Sequence, residues 1–209
     1  MPARTSPHLR FLLRGSLLVV VMLTAWWMLL LDPLLGALRV STGLALHLFP
    51  GNGSTAHATN DPSGNWVLQV PLPALIQRSE AVQKMFDPAV RPVRLPSLKL
   101  AISRDVPVLF SLVFPLFWAA ALSAPFSRRT WKILLAGTAL VYFISIGSIL
   151  LYSVYMIDRN LGYTTGAANT VLNFFEYLNM YVVPYAAPLL IALALNADLR
   201  VQIFSGEPA

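Results

Sequence analysis

Four long apolar runs, at 11–31, 106–126, 133–157 and about 180–197, dominate this chain, with short polar joints between most of them. A helix needs about 20 residues, at ~1.5 Å each, to cross the ~30 Å hydrocarbon core of a bilayer, and each run is near or above that length. Inside lipid no water satisfies exposed backbone amides, so such segments are expected to be helical. Charged residues make up 11% of the chain and hydrophobic residues 56%, where a soluble domain carries about 25% charged residues. The expected fold is mainly α: a polytopic membrane protein with four transmembrane helices and a small α/β extracytoplasmic loop subdomain.

The formal charge of +6 does not point to nucleic acid, because the basic residues are scattered or flank the spans, where they anchor against anionic headgroups. The absence of cysteine removes disulfides, thiol catalysis and cluster ligation. Arg4, Arg10 and Arg14 lie at the start of the first run, which ends without a small-x-small site and reads as an uncleaved signal anchor. Arg128, Arg129 and Lys132 fill the joint between the second and third runs, and Arg200 follows the fourth. Alternating crossings put all of these on the cytoplasmic side, with both termini inside. The layout is then a cytoplasmic 1–10, spans at 11–32, 106–126, 133–157 and 177–197, a joint at 127–132, an outer connection at 158–176 and a cytoplasmic tail at 198–209.

Asp32-Pro33 marks an expected break after the first span. Residues 33–50 are expected to form a helix on the outer interface, or else to pack back onto the bundle. A fifth span is disfavoured because Arg39 would sit near its centre at a cost of ~3 kcal/mol. Residues 51–105 form the loop subdomain, opening with the turn formers Gly51-Asn52-Gly53-Ser54 and 60–64. Trp66, Leu68, Val70 and Leu72 alternate as one face of a strand, and Leu98, Leu100 and Ile102 as another, with a short helix expected across 73–86.

Candidate sites are few. His47, His57 and Asp61, with Ser54 and Thr55, lack a third ligand at a metal spacing and a strained nucleophile turn, so they read as solvated loop residues. No metal or cofactor is expected, and no catalytic set converges. Asn169, Asn173, Tyr177 and Tyr181 fall at four-residue spacing, with Glu176 on an adjoining line. A polar interface site of Glu176, Asn173, Tyr177 and Arg159 is the functional reading of that stretch. An aromatic belt with a solvated acid is the simpler one. In the third span Gly137, Gly147 and Ser148 offer a small-residue face for another helix, within the bundle or from a partner. Prolines 107, 115, 125, 184 and 188 are expected to kink the second and fourth spans.

The paired Trp26 and Trp27 in an N-terminal anchor, the Trp66-to-Leu72 strand, two adjacent spans and a last span carrying Val183-Pro184-Tyr185-Ala186-Ala187-Pro188 together resemble the small bacterial membrane proteins associated with exosortases, particularly the exosortase H-associated type. Exosortases themselves resemble transpeptidases that use Cys, Arg and His, and this chain has no Cys. The resemblance therefore implies a non-catalytic accessory protein in a bacterial inner membrane, beside a membrane protein partner such as an exosortase. A structural subunit of a membrane transport complex is the alternative, and an intramembrane enzyme a third.

Overall fold

The computed structural model describes residues 7–48, 59–60, 64–71, 97–123, 128–161 and 165–204. It is mainly helical and divides into two compact units, Met1–Leu38 with Asp105–Ala209, and Arg39–Arg104. Three helical stretches are long and apolar enough to cross a membrane, or four if one bent pair counts as a span.

The first stretch is α1 (Pro7–Ala25), a π-helical turn (Trp26–Leu30) and α2 (Leu31–Leu48). The break expected at Pro33 is absent: helix runs through it. Proline normally strikes the carbonyl four residues back, which here belongs to Leu29, inside the widened π turn that admits one extra residue. The expected separate helix at 33–50 is thus the end of the same helical run. Trp26 is buried with Leu31 and Leu35, against Val108 and Leu112, whereas Trp27, Met28, Leu29 and Leu30 are all exposed.

The second stretch is α3 (Asp105–Ser111) and α4 (Val113–Ser123), interrupted at Leu112. Pro115 explains the interruption, since it offers no N–H to Ser111 four residues earlier. Ser145 Oγ crosses from the neighbouring helix to donate to the Phe110 carbonyl at 3.0 Å in this distorted turn, both residues being buried and so out of reach of water. At the far end, Arg14 Nη2 donates to the Leu122 carbonyl at 3.2 Å. That carbonyl lies in the last turn of α4, where intrahelical donors run out.

The third stretch is α5 (Arg128–Leu161), a single helix that takes in the expected 133–157 span. Phe114 and Phe117 of α4 are buried with Val141 of α5, and Trp118 Nε1 donates to Thr138 Oγ1 at 2.9 Å across the same contact. Gly137 is what lets α4 and α5 approach: a β-carbon there would lie 1.9 Å from Phe117 Cζ.

The expected fourth span is two helices, α6 (Ala167–Tyr181) and α7 (Val183–Leu195), bent by 67° at Val182. Pro184 lacks the N–H that would continue the α6 ladder to Met180, so the ladder ends one turn early. Asn196 closes α7 and its Oδ1 accepts from the Asp198 and Leu199 amides, both at 3.2 Å. It therefore starts α8 (Ala197–Phe204) as a side-chain cap. The stretch expected as a tail carries Leu199 into the core beside Ile191 and Ala192.

The second unit holds an antiparallel sheet of order β1-β2-β3, with β1 (Thr59–Asn60), β2 (Trp66–Pro71) and β3 (Ser97–Ile102). Trp66 pairs with Ile102 and Leu68 with Leu100. Trp66, Leu100 and Ile102 are buried while Lys99 and Ala101 are exposed, the expected period of two. Asn65 Oδ1 accepts from the Arg104 amide at 3.1 Å. The helix expected at 73–86 lies outside the described residues.

Candidate functional site

The last turns of α5 face the first turns of α6, and polar side chains gather there. Tyr155, Asp158 and Arg159 from α5 and Asn169 and Asn173 from α6 line a cleft of about 420 Å³. Arg159 Nη1 donates to Tyr155 Oη at 3.1 Å, one helical turn away. Asn173 Nδ2 donates to Asn169 Oδ1 at 3.2 Å, across the same spacing on α6. Four-residue neighbours share a helix face, so each pair presents its polar atoms as a unit. Asp158 is buried, whereas Arg159, Asn169 and Asn173 are exposed. A second cleft, about 480 Å³, meets the first at Asp158 and is otherwise apolar, lined by Val154, Ala167, Ala168, Val171, Leu172 and Phe175.

Further along α6, Glu176 and Asn179 turn into the contact with α5. Asn179 Nδ2 donates to the Ser148 carbonyl at 2.9 Å. Glu176 is 7% exposed, and its Oε2 has no hydrogen-bond partner. An ionisable group buried in a segment of this kind marks a place to look for function.

Of the residues singled out in the sequence, Arg159 and Asn173 do come together in the polar cleft. Glu176 does not line the cleft. Tyr177 faces outward, 59% exposed, and stacks on Tyr181 at 4.9 Å between ring centres. In the small-residue face, Gly137 is covered by Phe117 and Ser148 is buried with its carbonyl held by Asn179, while a β-carbon on Gly147 would meet nothing within 4 Å. His57, Asp61, Ser54 and Thr55 fall outside the described residues, and His47 is placed only as a residue of α2.

Asp158 and Tyr155 of α5 complete the cleft, beside the Asn169 that the four-residue spacing also singles out, and the sequence signal for the first two was the polar character of the end of α5. An arginine, a carboxylate, two amides and a phenol supply both signs of charge and both hydrogen-bonding roles. That suits recognition of a polar group. Among the described residues no group of three or more His, Cys, Asp or Glu is placed to hold a metal ion. Comparison of the chain with protein-family models, with curated proteins and with solved structures finds no match in any of the three.

Proposed function

We propose that this chain is a non-catalytic accessory protein of a bacterial inner membrane, with both termini cytoplasmic, acting through lateral contact with a larger membrane protein. The observation that carries the reading is a groove where α1, α4 and α7 come together. Gly15 of α1 and Ala119, Ala120 and Ser123 of α4 form part of its wall, and Tyr185 and Leu189 of α7 stand at its side. It encloses about 200 Å³. Between helices in lipid there is no hydrophobic driving force, so association depends on close backbone approach over small residues. A groove walled in part by Gly, Ala and Ser favours that approach, and none of the described residues fills it.

The layout of anchor, strand and paired spans makes an exosortase the first partner to test. A photo-crosslinking residue placed at Val19 or Leu189, lining the groove, should trap one larger membrane protein when the chain is expressed with its neighbouring genes. The same residue at Leu135, 72% exposed on α5, should trap lipid alone. Ala120→Trp should abolish the adduct while the chain still accumulates. Equal adducts from Leu135, or none from the groove positions, would overturn the reading.

A further inference from the structure

We propose that α6 is a hinged paddle whose docking on α5 is set by the charge of Glu176: neutral, it lets α6 lie against α5, and ionised, it drives α6 away. Only α5, α6 and α7 take part, so the switch works with or without a protein in the groove.

The seat of α6 is polar. Its two buried residues are Glu176 and Asn179, whereas Val171, Phe174, Phe175, Tyr177 and Tyr181 are exposed and Leu172, Leu178 and Met180 only half-buried. A helix on a globular core does the opposite, burying an apolar stripe and showing its polar face. The hold of α6 on α5 therefore depends on how well its two polar groups are satisfied. Asn179 Nδ2 has the Ser148 carbonyl at 2.9 Å. Glu176 Oε2 is buried with no hydrogen-bond partner. A neutral carboxyl can be left in that position at modest cost, but an unpaired charge cannot.

The surroundings offer that charge no cation. Glu176 is the sole charged residue of α6, and α7 carries none. On α5 the titratable group that interacts with Glu176 is Tyr152. Tyr155, Asp158 and Arg159 follow toward the helix end, where Arg159 donates to Tyr155 Oη and lines the cleft that Glu176 does not. Tyr185, the titratable residue of α7, is 57% exposed. Both ends of α6 are joints. At Val182 it bends by 67° into α7, where Pro184 withholds a stiffening N–H, and at its start Gly166 takes φ 61°, a conformation open to glycine. Release would bare Tyr152 and the Ser148 carbonyl, so α5 shows a different face to its neighbours in each state.

The chain has no cysteine, so nitroxide labels on Phe143→Cys of α5 and Thr170→Cys of α6, both exposed positions, report the separation of the two helices by pulsed electron paramagnetic resonance. Because the packed state rejects the charged form, packing should hold at about pH 5 and be lost by about pH 9. A swing of about 30° moves the far end of a ~22 Å helix by about 11 Å, and a second distance population shifted by that order should appear in full-length protein in phosphatidylcholine nanodiscs. Labels on Phe143→Cys and Val154→Cys, both on α5, should not move, which separates release from unfolding. Glu176→Gln should keep the packed distance at both pH values, and Tyr152→Phe should respond as the wild type does. Should the glutamine variant not fold, the wild-type pair and Tyr152→Phe decide the matter. A wild-type distance that ignores pH, a response that survives Glu176→Gln or vanishes in Tyr152→Phe, or equal movement of the α5 pair would overturn the proposal.

Discussion

A β-carbon at Gly137 would stand 1.9 Å from Phe117 Cζ, and that ring is wholly buried among α4, α5 and α7, so it has nowhere to retreat. Gly137→Ala should cost about 1–3 kcal/mol of stability, the usual range for overpacking a core. Denaturant titration in detergent would measure it, and Phe117→Leu in the same chain should recover part of the loss because the two sites share one contact. Gly147→Ala is the matched control. Its β-carbon meets nothing, so the change should be neutral or stabilise by up to about 1 kcal/mol through helix propensity. The two glycines are indistinguishable in the sequence, since both are small residues in one apolar helix; only the side chain arriving from α4 separates them. Asn179 belongs to the same scale. It is buried and serves the Ser148 carbonyl, so Asn179→Ala should destabilise by about 1–2 kcal/mol. Glu176→Gln should not destabilise, because one carboxyl oxygen already lacks a partner and a neutral amide is less costly to bury than a charge. A fall in melting temperature with Glu176→Gln as large as with Asn179→Ala would contradict this account.

Single elements show where patterns in the sequence carried through and where they drifted. Strands β2 and β3 and the bodies of α4 and α5 lie where alternation and apolar length place them, because burial on one face or in lipid enforces a period along the whole element. The polar stripe on α6 behaves differently. Residues four apart advance by 400°, so a stripe at that spacing rotates about 40° per step around a helix of 3.6 residues per turn. Asn169 and Asn173 therefore reach the cleft, while Tyr177 and Tyr181 have turned to the outside. Glu176, three residues beyond Asn173, turns the opposite way into the α5 contact. The π turn at Trp26–Leu30 is not legible from periodicity at all, because one extra residue in a uniformly apolar stretch leaves no mark on the pattern. It yields its own test. Deleting Met28 should convert the π turn to α-helix while keeping the register on either side, so folded yield should stay near wild type. Inserting alanine after Leu23, in regular helix, should rotate one half by about 100° against the other and displace Trp26 from its buried position. A deletion as damaging as the insertion, judged by size-exclusion profile, would count against the turn as an absorbed extra residue.

At the level of the whole chain, the number of crossings hangs on the bent pair. At ~1.5 Å per residue, α7 with its 13 residues is about 20 Å long and too short for the ~30 Å core by itself. The 15 residues of α6 add about 22 Å of length. With α7 upright and the 67° bend, though, α6 contributes only about 9 Å of that to depth. The sum is close to 30 Å, so on the proposed four-crossing topology the pair would cross once, with α6 nearly flat at the headgroup level and its Asn169 and Asn173 at the surface. That geometry would keep Arg14, Arg129, Lys132 and Arg200 on a single face, as the bias of basic residues toward the cytoplasm favours. A re-entrant pair would instead leave three crossings and carry Arg200 to the opposite side from Arg14. The chain has no native cysteine, so single substitutions report without background. In spheroplasts Ala168→Cys should react with a membrane-impermeant maleimide, and Arg200→Cys should react only after the membrane is permeabilised. Labelling of both in sealed spheroplasts would mean that the pair returns to its own side, and both the four-crossing topology and the cytoplasmic C-terminus would have to be given up.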